Sequence, residues 1–277
     1  MNRMSALLLR IGALICFCSA VQIAHAQTAA FDQSPWDALL KAHVSMLRNG
    51  QATQVDYAGL AQDRSRLKQY LASVSAVTPA QFERWESSSQ LAFLTNAYNA
   101  FTIELVLTAY PDLASIKDLG SLLRSPWKKK FIPLLGETRS LDDIEQGLIR
   151  GSARYNEPRV HFALNCASIG CPALRPEAFV AERMEAQLES ATSAFLSDRT
   201  RNRLEAKTLK VSSIFKWYRA DFEKSWRGGN SLADFFIRYR QPLELDDALV
   251  SLLKAGEIKI DFLDYDWRLN STTRSAP

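Results

Sequence analysis

Apolar side chains recur along this chain mostly at helical spacing, with a few short stretches at alternate positions. Trp36, Leu39, Leu40, Val44 and Leu47 follow Ser34 and Pro35 at a helical period, and Gly50 stands just past them, which predicts an amphipathic surface helix. Leu60, Leu67, Tyr70, Leu71 and Val74 predict a second helix, and Thr78-Pro79 opens a short third. From about Ser88 to Tyr110 the apolar residues, among them Leu91, Phe93, Tyr98, Phe101, Ile103 and Val106, cover nearly every side of a helix. Such a helix is central and buried, and Pro111 ends it. It carries Asn96, Asn99 and Glu104, each of which then needs a polar partner.

Residues around Ile132 and Thr138 flank Gly136 like a short hairpin, and Ser140 with Asp143 resembles a capping box for a helix to Arg150 that carries Glu145. Alternation predicts a strand from Arg159 to Leu164, with Arg159, His161 and Ala163 on one face. A loop from Asn165 to Pro172 follows, then a long helix from about Glu177 to Leu196. A strand at Thr208 to Val211, two or three short helices and a last strand at Glu257 to Phe262 complete the reading. Strands do not alternate regularly with helices. The fold class expected is α+β: a helix-rich single domain with a small, mainly antiparallel sheet and a buried central helix.

The N-terminus changes this picture by removing residues from it. Arg3 and Arg10, an apolar run from Ile11 to Val21 and Ala24-His25-Ala26 have the order of a secretory signal, so residues 1 to 26 are set apart from a globular domain at 27 to 277. The run is shorter than the roughly 20 residues that span a bilayer, and no later stretch approaches that length, so no transmembrane segment is expected. Cleavage near Ala26 implies a periplasmic or secreted protein. It also takes two charges from the formal +4, and no basic stripe interleaved with aromatics remains, which disfavours nucleic acid as a partner. Cys16 and Cys18 leave with the signal, and Cys166 and Cys171 stay as an even pair in an oxidising compartment.

Two motifs carry a family resemblance. Asn96-Ala97-Tyr98-Asn99-Ala100 and the run Arg159-Val160-His161-Phe162-Ala163-Leu164-Asn165-Cys166-Ala167-Ser168-Ile169-Gly170-Cys171-Pro172 resemble the domain of unknown function 547 family. Leu141-Asp142-Asp143-Ile144-Glu145, Ile214 to Tyr218 with Asp221-Phe222, and Tyr265-Asp266-Trp267 extend the likeness over about residues 85 to 268. The resemblance implies a fold group and no activity.

Chemistry has to be read from the residues. His161, Asn165, Cys166 and Cys171 crowd together, and a thiol beside an imidazole makes a nucleophile with its base. A straight strand points Cys166 away from His161. Cys171, beyond the turn at Gly170 and before Pro172, is the sulfur that can fold back. Asn96 and Asn99 suit orientation of the imidazole or donation to an oxyanion, and equally suit scaffolding. Glu104, Glu145, Arg150 and Arg159 are further pocket candidates or scaffold ion pairs. Phe215, Trp217, Tyr218, Phe222 and Trp226 fit core packing before they fit a cleft wall. His-x4-Cys-x4-Cys matches no usual zinc spacing, so no metal is assigned, and no Gly-rich phosphate loop or other cofactor motif is present.

Two functional readings follow. One is a thiol-dependent hydrolase or acyl transferase with Cys171 as nucleophile and His161 as base, acting on a small-molecule or peptide ligand. The other is a non-enzymatic periplasmic binding or scaffold domain with a Cys166-Cys171 disulfide. Oligomeric state is not written in the sequence.

Overall fold

The computed structural model describes residues 31–121, 124–152 and 154–272. The expected signal segment lies outside them. The order begins with α1 Ser34–His43, β1 Val44–Leu47, β2 Ala52–Val55, α2 Tyr57–Gln62, α3 Arg64–Ser75, α4 Pro79–Phe82 and α5 Ser87–Leu107. The hairpin β3 Ile132–Leu134 and β4 Glu137–Arg139 leads to a π-helix, Asp143–Arg150, and a 3-10 turn, Pro158–Phe162. Then come α6 Met184–Ser197, β5 Arg203–Glu205, β6 Thr208–Ser212, α7 Ile214–Trp217, α8 Arg219–Phe222, α9 Leu232–Arg238, α10 Asp247–Lys254 and β7 Lys259–Leu263. The class is α+β, as expected. The strands divide among three small sheets: the antiparallel pairs β1-β2 and β3-β4, and a mixed sheet in which β6 pairs antiparallel with β5 and parallel with β7.

α5 is buried along almost its whole length, as its all-round apolarity predicts. Three of its buried polar side chains, Gln90, Asn96 and Asn99, are absorbed by backbone groups of neighbouring segments. Asn96 brackets Phe179, donating from Nδ2 to its carbonyl at 2.7 Å and accepting its N–H at 3.0 Å. Asn99 does the same for the loop before the cysteines, donating to the Ala163 carbonyl at 3.0 Å and accepting the Asn165 N–H at 2.8 Å. Gln90 donates to the Phe82 carbonyl at 2.8 Å.

Four expected elements differ. The second helix is broken at Asp63 into α2 and α3, and the long helix expected from about Glu177 begins only at Met184, because Val180 is extended and the Phe179 backbone is held by Asn96. The first helix stops at His43, and Val44 and Leu47 enter β1, because the chain reverses through Arg48, Asn49 and Gly50, all at positive φ, and Val44 pairs with Val55. A β-branched residue at the helix end favours that exit. The expected strand at Arg159 to Leu164 is a 3-10 turn instead. Pro158 opens it, and the Glu157 carboxylate accepts the Arg159 N–H at 3.1 Å. A three-residue period sends Val160 and Ala163 to one side and Phe162 to another, so apolar residues at 160, 162 and 164 only imitate alternation.

That turn lies where two apolar clusters meet. Val160, Ala163 and Leu164 pack with the cluster built around α5. Phe162 packs with a second cluster formed by Phe195, Leu209, Val211, Phe215, Phe222 and residues of α9 and α10. After β7 the chain returns across the cysteine loop, where the N–H groups of Ile169 and Gly170 donate to the Arg268 and Asp266 carbonyls, each at 2.8 Å. A Cβ on Gly170 would come within 2.9 Å of Tyr265 and 3.0 Å of the Asp266 carbonyl, so this close approach requires glycine.

Asn96→Ala leaves two buried backbone groups at Phe179 without partners. It is expected to lower the unfolding free energy by about 2 kcal/mol or more, read by urea denaturation. A loss below about 0.5 kcal/mol would show that the bracket is dispensable.

Candidate functional site

The site begins with the imidazole that the 3-10 turn presents. His161 is 4 % exposed and lines a cavity of about 220 Å³. Its Nε2 lies 2.7 Å from Oδ2 of Asp221, on α8. Arg150, at the end of the π-helix, grips the same carboxylate through Nε and Nη2, the latter at 3.1 Å, and also donates to the Gln146 side chain. The π-helix is set at its start by the expected capping box, in which the Ser140 N–H donates to Asp143 at 2.8 Å and the Asp143 N–H donates back to Ser140 at 3.0 Å. Tyr218 stacks on the imidazole, with centroids 3.9 Å apart and planes 20° apart, and its ring also lies 4.9 Å from the Arg150 guanidinium.

This network fixes a tautomer. Burial works against the Asp221 charge, but the hydrogen bonds from His161 and Arg150 outweigh it and hold the carboxyl well below the usual carboxylate range. An ionised carboxylate only accepts, so Nε2 carries a proton, and in the neutral form of the imidazole the lone pair is then on Nδ1.

A second carboxylate, Glu145, is 7 % exposed and lines the same cavity. Burial, and then the negative charge of Glu145, pushes the Tyr98 and Tyr218 hydroxyls far up.

Cys166 and Cys171 wall the cavity and are joined by a disulfide, with their Cα atoms 6.1 Å apart. The Ser168 and Tyr265 hydroxyls lie 3.2 Å from the Cys166 sulfur and 3.3 Å from that of Cys171. Only Cys171 also receives a main-chain N–H, from Cys166 at 2.9 Å. Cys171 is therefore the sulfur whose surroundings hold more donors for a thiolate.

Of the residues singled out in the sequence, His161, Cys166, Cys171 and Glu145 come together at the cavity. Asn96 and Asn99 do not line it, since both ends of each amide are spent on backbone. Asn165 shapes the loop by donating to the Pro172 carbonyl at 2.8 Å and accepting the Ala167 N–H at 2.9 Å. Glu104 is tied to Arg64 at 2.7 Å. Arg159 is fully buried among Glu157, Glu185 and Glu189, with its guanidinium 5.2 Å from the Trp226 ring centre.

Sequence reading left Asp221, Tyr98 and Tyr265 without roles in the chemistry, while Arg150, expected in a pocket or an ion pair, forms the ion pair with Asp221. The Asp221-Phe222 and Tyr265-Asp266-Trp267 motifs were the available signal. The aromatic group splits: Phe215, Phe222 and Trp226 are core, whereas Trp217 and Tyr218 wall the cavity.

Among the described residues no group of three or more His, Cys, Asp or Glu side chains could hold a metal ion, and no helix is long and apolar enough to cross a membrane. Residues 82–196 match the family described as "Protein of unknown function, DUF547". The matched stretch contains Glu145, Arg150, His161 and both cysteines, while Asp221 and Tyr265 reach the site from beyond it. No curated protein and no solved structure matches the chain.

The depressed Asp221 group contributes stability that is fully present above the ordinary carboxylate pKa of about 4 and is lost as pH falls from there toward the lower native value. The stability advantage of the wild type over Asp221→Asn is thus expected to shrink between pH 6 and pH 3 in parallel urea titrations. An advantage that stays constant or grows over that interval would contradict the ionised network.

Proposed function

We propose that the cavity is the reaction site of an exported thiol-dependent hydrolase or acyl transferase, with Cys171 as nucleophile, His161 as base and Asp221 as the residue that positions the imidazole. The observation that carries this reading is that both sulfurs and His161 wall one cavity while Asp221 holds the imidazole in the tautomer a base needs. The secretory pattern at residues 1 to 26 supports export, and an oxidising compartment suits the disulfide.

The disulfide is the resting form in this scheme. An external dithiol reduces it: the dithiol becomes a disulfide, and Cys166 and Cys171 each gain a proton and an electron. The Cys171 thiol then passes its proton to Nδ1 of His161 as the sulfur attacks an acyl carbon. The Cys166 N–H and the Tyr265 hydroxyl, 2.9 and 3.3 Å from the sulfur, are the nearest donors for the oxyanion that forms beside it. The leaving group departs with the proton held by His161. Water or a second nucleophile then resolves the thioester and returns the thiol.

The disulfide itself favours a second reading, a non-enzymatic binding or scaffold domain in which the bridge fixes the shape of the loop. The two readings diverge on reduction. Treatment of the mature chain with a phosphine reductant is expected to switch on hydrolysis of p-nitrophenyl acetate. Cys171→Ser should then lower turnover by roughly a hundredfold or more, while Cys166→Ser should keep it and remove the need for reductant. Turnover that is independent of reductant, or that survives Cys171→Ser, would overturn the assignment and leave the scaffold reading.

A further inference from the structure

The charge of the cavity is one-sided. Asp142 and Glu145 both line it, no lysine or arginine does, and among the described residues neither acid forms an ion pair. The nearest cation that Glu145 acts on is Arg150, whose guanidinium is already committed to Asp221 and Gln146. Glu145 is more than nine-tenths buried and faces the Tyr98 and Tyr218 hydroxyls, both of which hydrogen-bond with it and are raised by its negative charge after the larger effect of burial. Its partners at the cavity are thus hydroxyls, with no cation at ion-pair distance among the described residues.

Trp217, Tyr265 and Trp267 line the same cavity as an aromatic group. Trp217 and Trp267 stack with centroids 5.7 Å apart, and Tyr265 lies 4.8 Å from the first and 4.5 Å from the second. Trp217 is 46 % exposed, an unusual position for a large apolar ring. The Lys117 ammonium already lies 5.2 Å from the Trp267 ring centre, so a cation rests against this wall from outside the cavity. Aromatic faces around a buried carboxylate form a receptor for a cationic nitrogen, because ring quadrupole and carboxylate charge attract the same group.

We propose that the cavity binds its ligand through an alkylammonium group seated on Glu145 and enclosed by Trp217, Tyr265 and Trp267, which makes amine-bearing compounds the substrate class of the thiol site. The assignment of a substrate rests on the reaction proposed above, whereas binding does not. Binding is therefore measured on the oxidised chain, where thiol chemistry cannot run, so that failure to bind and failure to turn over are separate results.

The probe is n-butylammonium chloride, titrated into the mature full chain at constant ionic strength and followed by tryptophan fluorescence, with n-butanol and sodium butyrate as isosteres. Butylammonium is expected to saturate at about tenfold lower concentration than butanol, and butyrate to give no saturation. Glu145→Gln should erase the preference for ammonium over alcohol, and Trp217→Leu, at an exposed position, should weaken butylammonium about threefold or more. Far-ultraviolet circular dichroism checks that each variant is folded, and Trp217→Leu carries the test alone if Glu145→Gln does not fold. Equal affinity for butylammonium and butanol, no saturation by either, or unchanged ammonium affinity in the folded variants would overturn the proposal.

Discussion

The Pro158–Phe162 turn is fixed from two sides at once, and the position of His161 and of the cysteine loop that follows it depends on that. Phe162 is fully buried among Phe195, Phe215 and Phe222, while Val160 and Ala163 pack against the cluster around α5. Asn99, from inside that helix, ties off Ala163 and Asn165 on either side of Leu164. Arg159, carrying its charge in full burial, is balanced by three glutamates, and removing it would leave those acids facing an empty space. His161 has no freedom to leave the cavity wall without disturbing both apolar clusters.

The polar groups behind the imidazole and those in front of it are electrostatically distinct. Behind it, Arg150 and Asp221 form a closed, charge-balanced pair that orients Nε2. In front, the acids of the cavity have hydroxyls and aromatic rings as neighbours and no cation. Arg150 separates the two regions: its guanidinium is drawn toward Glu145 yet directed at Asp221, and it lies over the Tyr218 ring that stacks on His161. In the proposed amine site a ligand's cation would meet the Glu145 charge.

What the sequence made legible was local. The all-round apolarity of α5, the hairpin at Gly136 and the Ser140-Asp143 box depend on neighbours a few residues away, and all three are present. The closeness of His161 to the cysteines was legible for the same reason. Asp221 lies 60 residues from His161 and Tyr265 lies 94 from Cys171, and no period or spacing encodes such pairings. The strand expected at Arg159 failed because a five-residue 3-10 turn between two cores exposes apolar positions in an order that looks like alternation. The first helix was drawn too long because Val44 and Leu47 fit a helical face as well as they fit β1, and only pairing with β2 decides between them.

The long-range pieces also explain how the cysteine loop is held. Its backbone is held by the returning chain at Ile169 and Gly170, and by Asn165 at Pro172, contacts that do not pass through sulfur. These contacts set the course of the loop independently of the disulfide, and Tyr265, carried by that same returning chain, lies beside both sulfurs. A bridge that merely reinforced this loop would add little by chain entropy, since so few residues lie between the cysteines. The bridge lines the same cavity as His161, so under the proposed reaction making and breaking it would change chemistry more than shape.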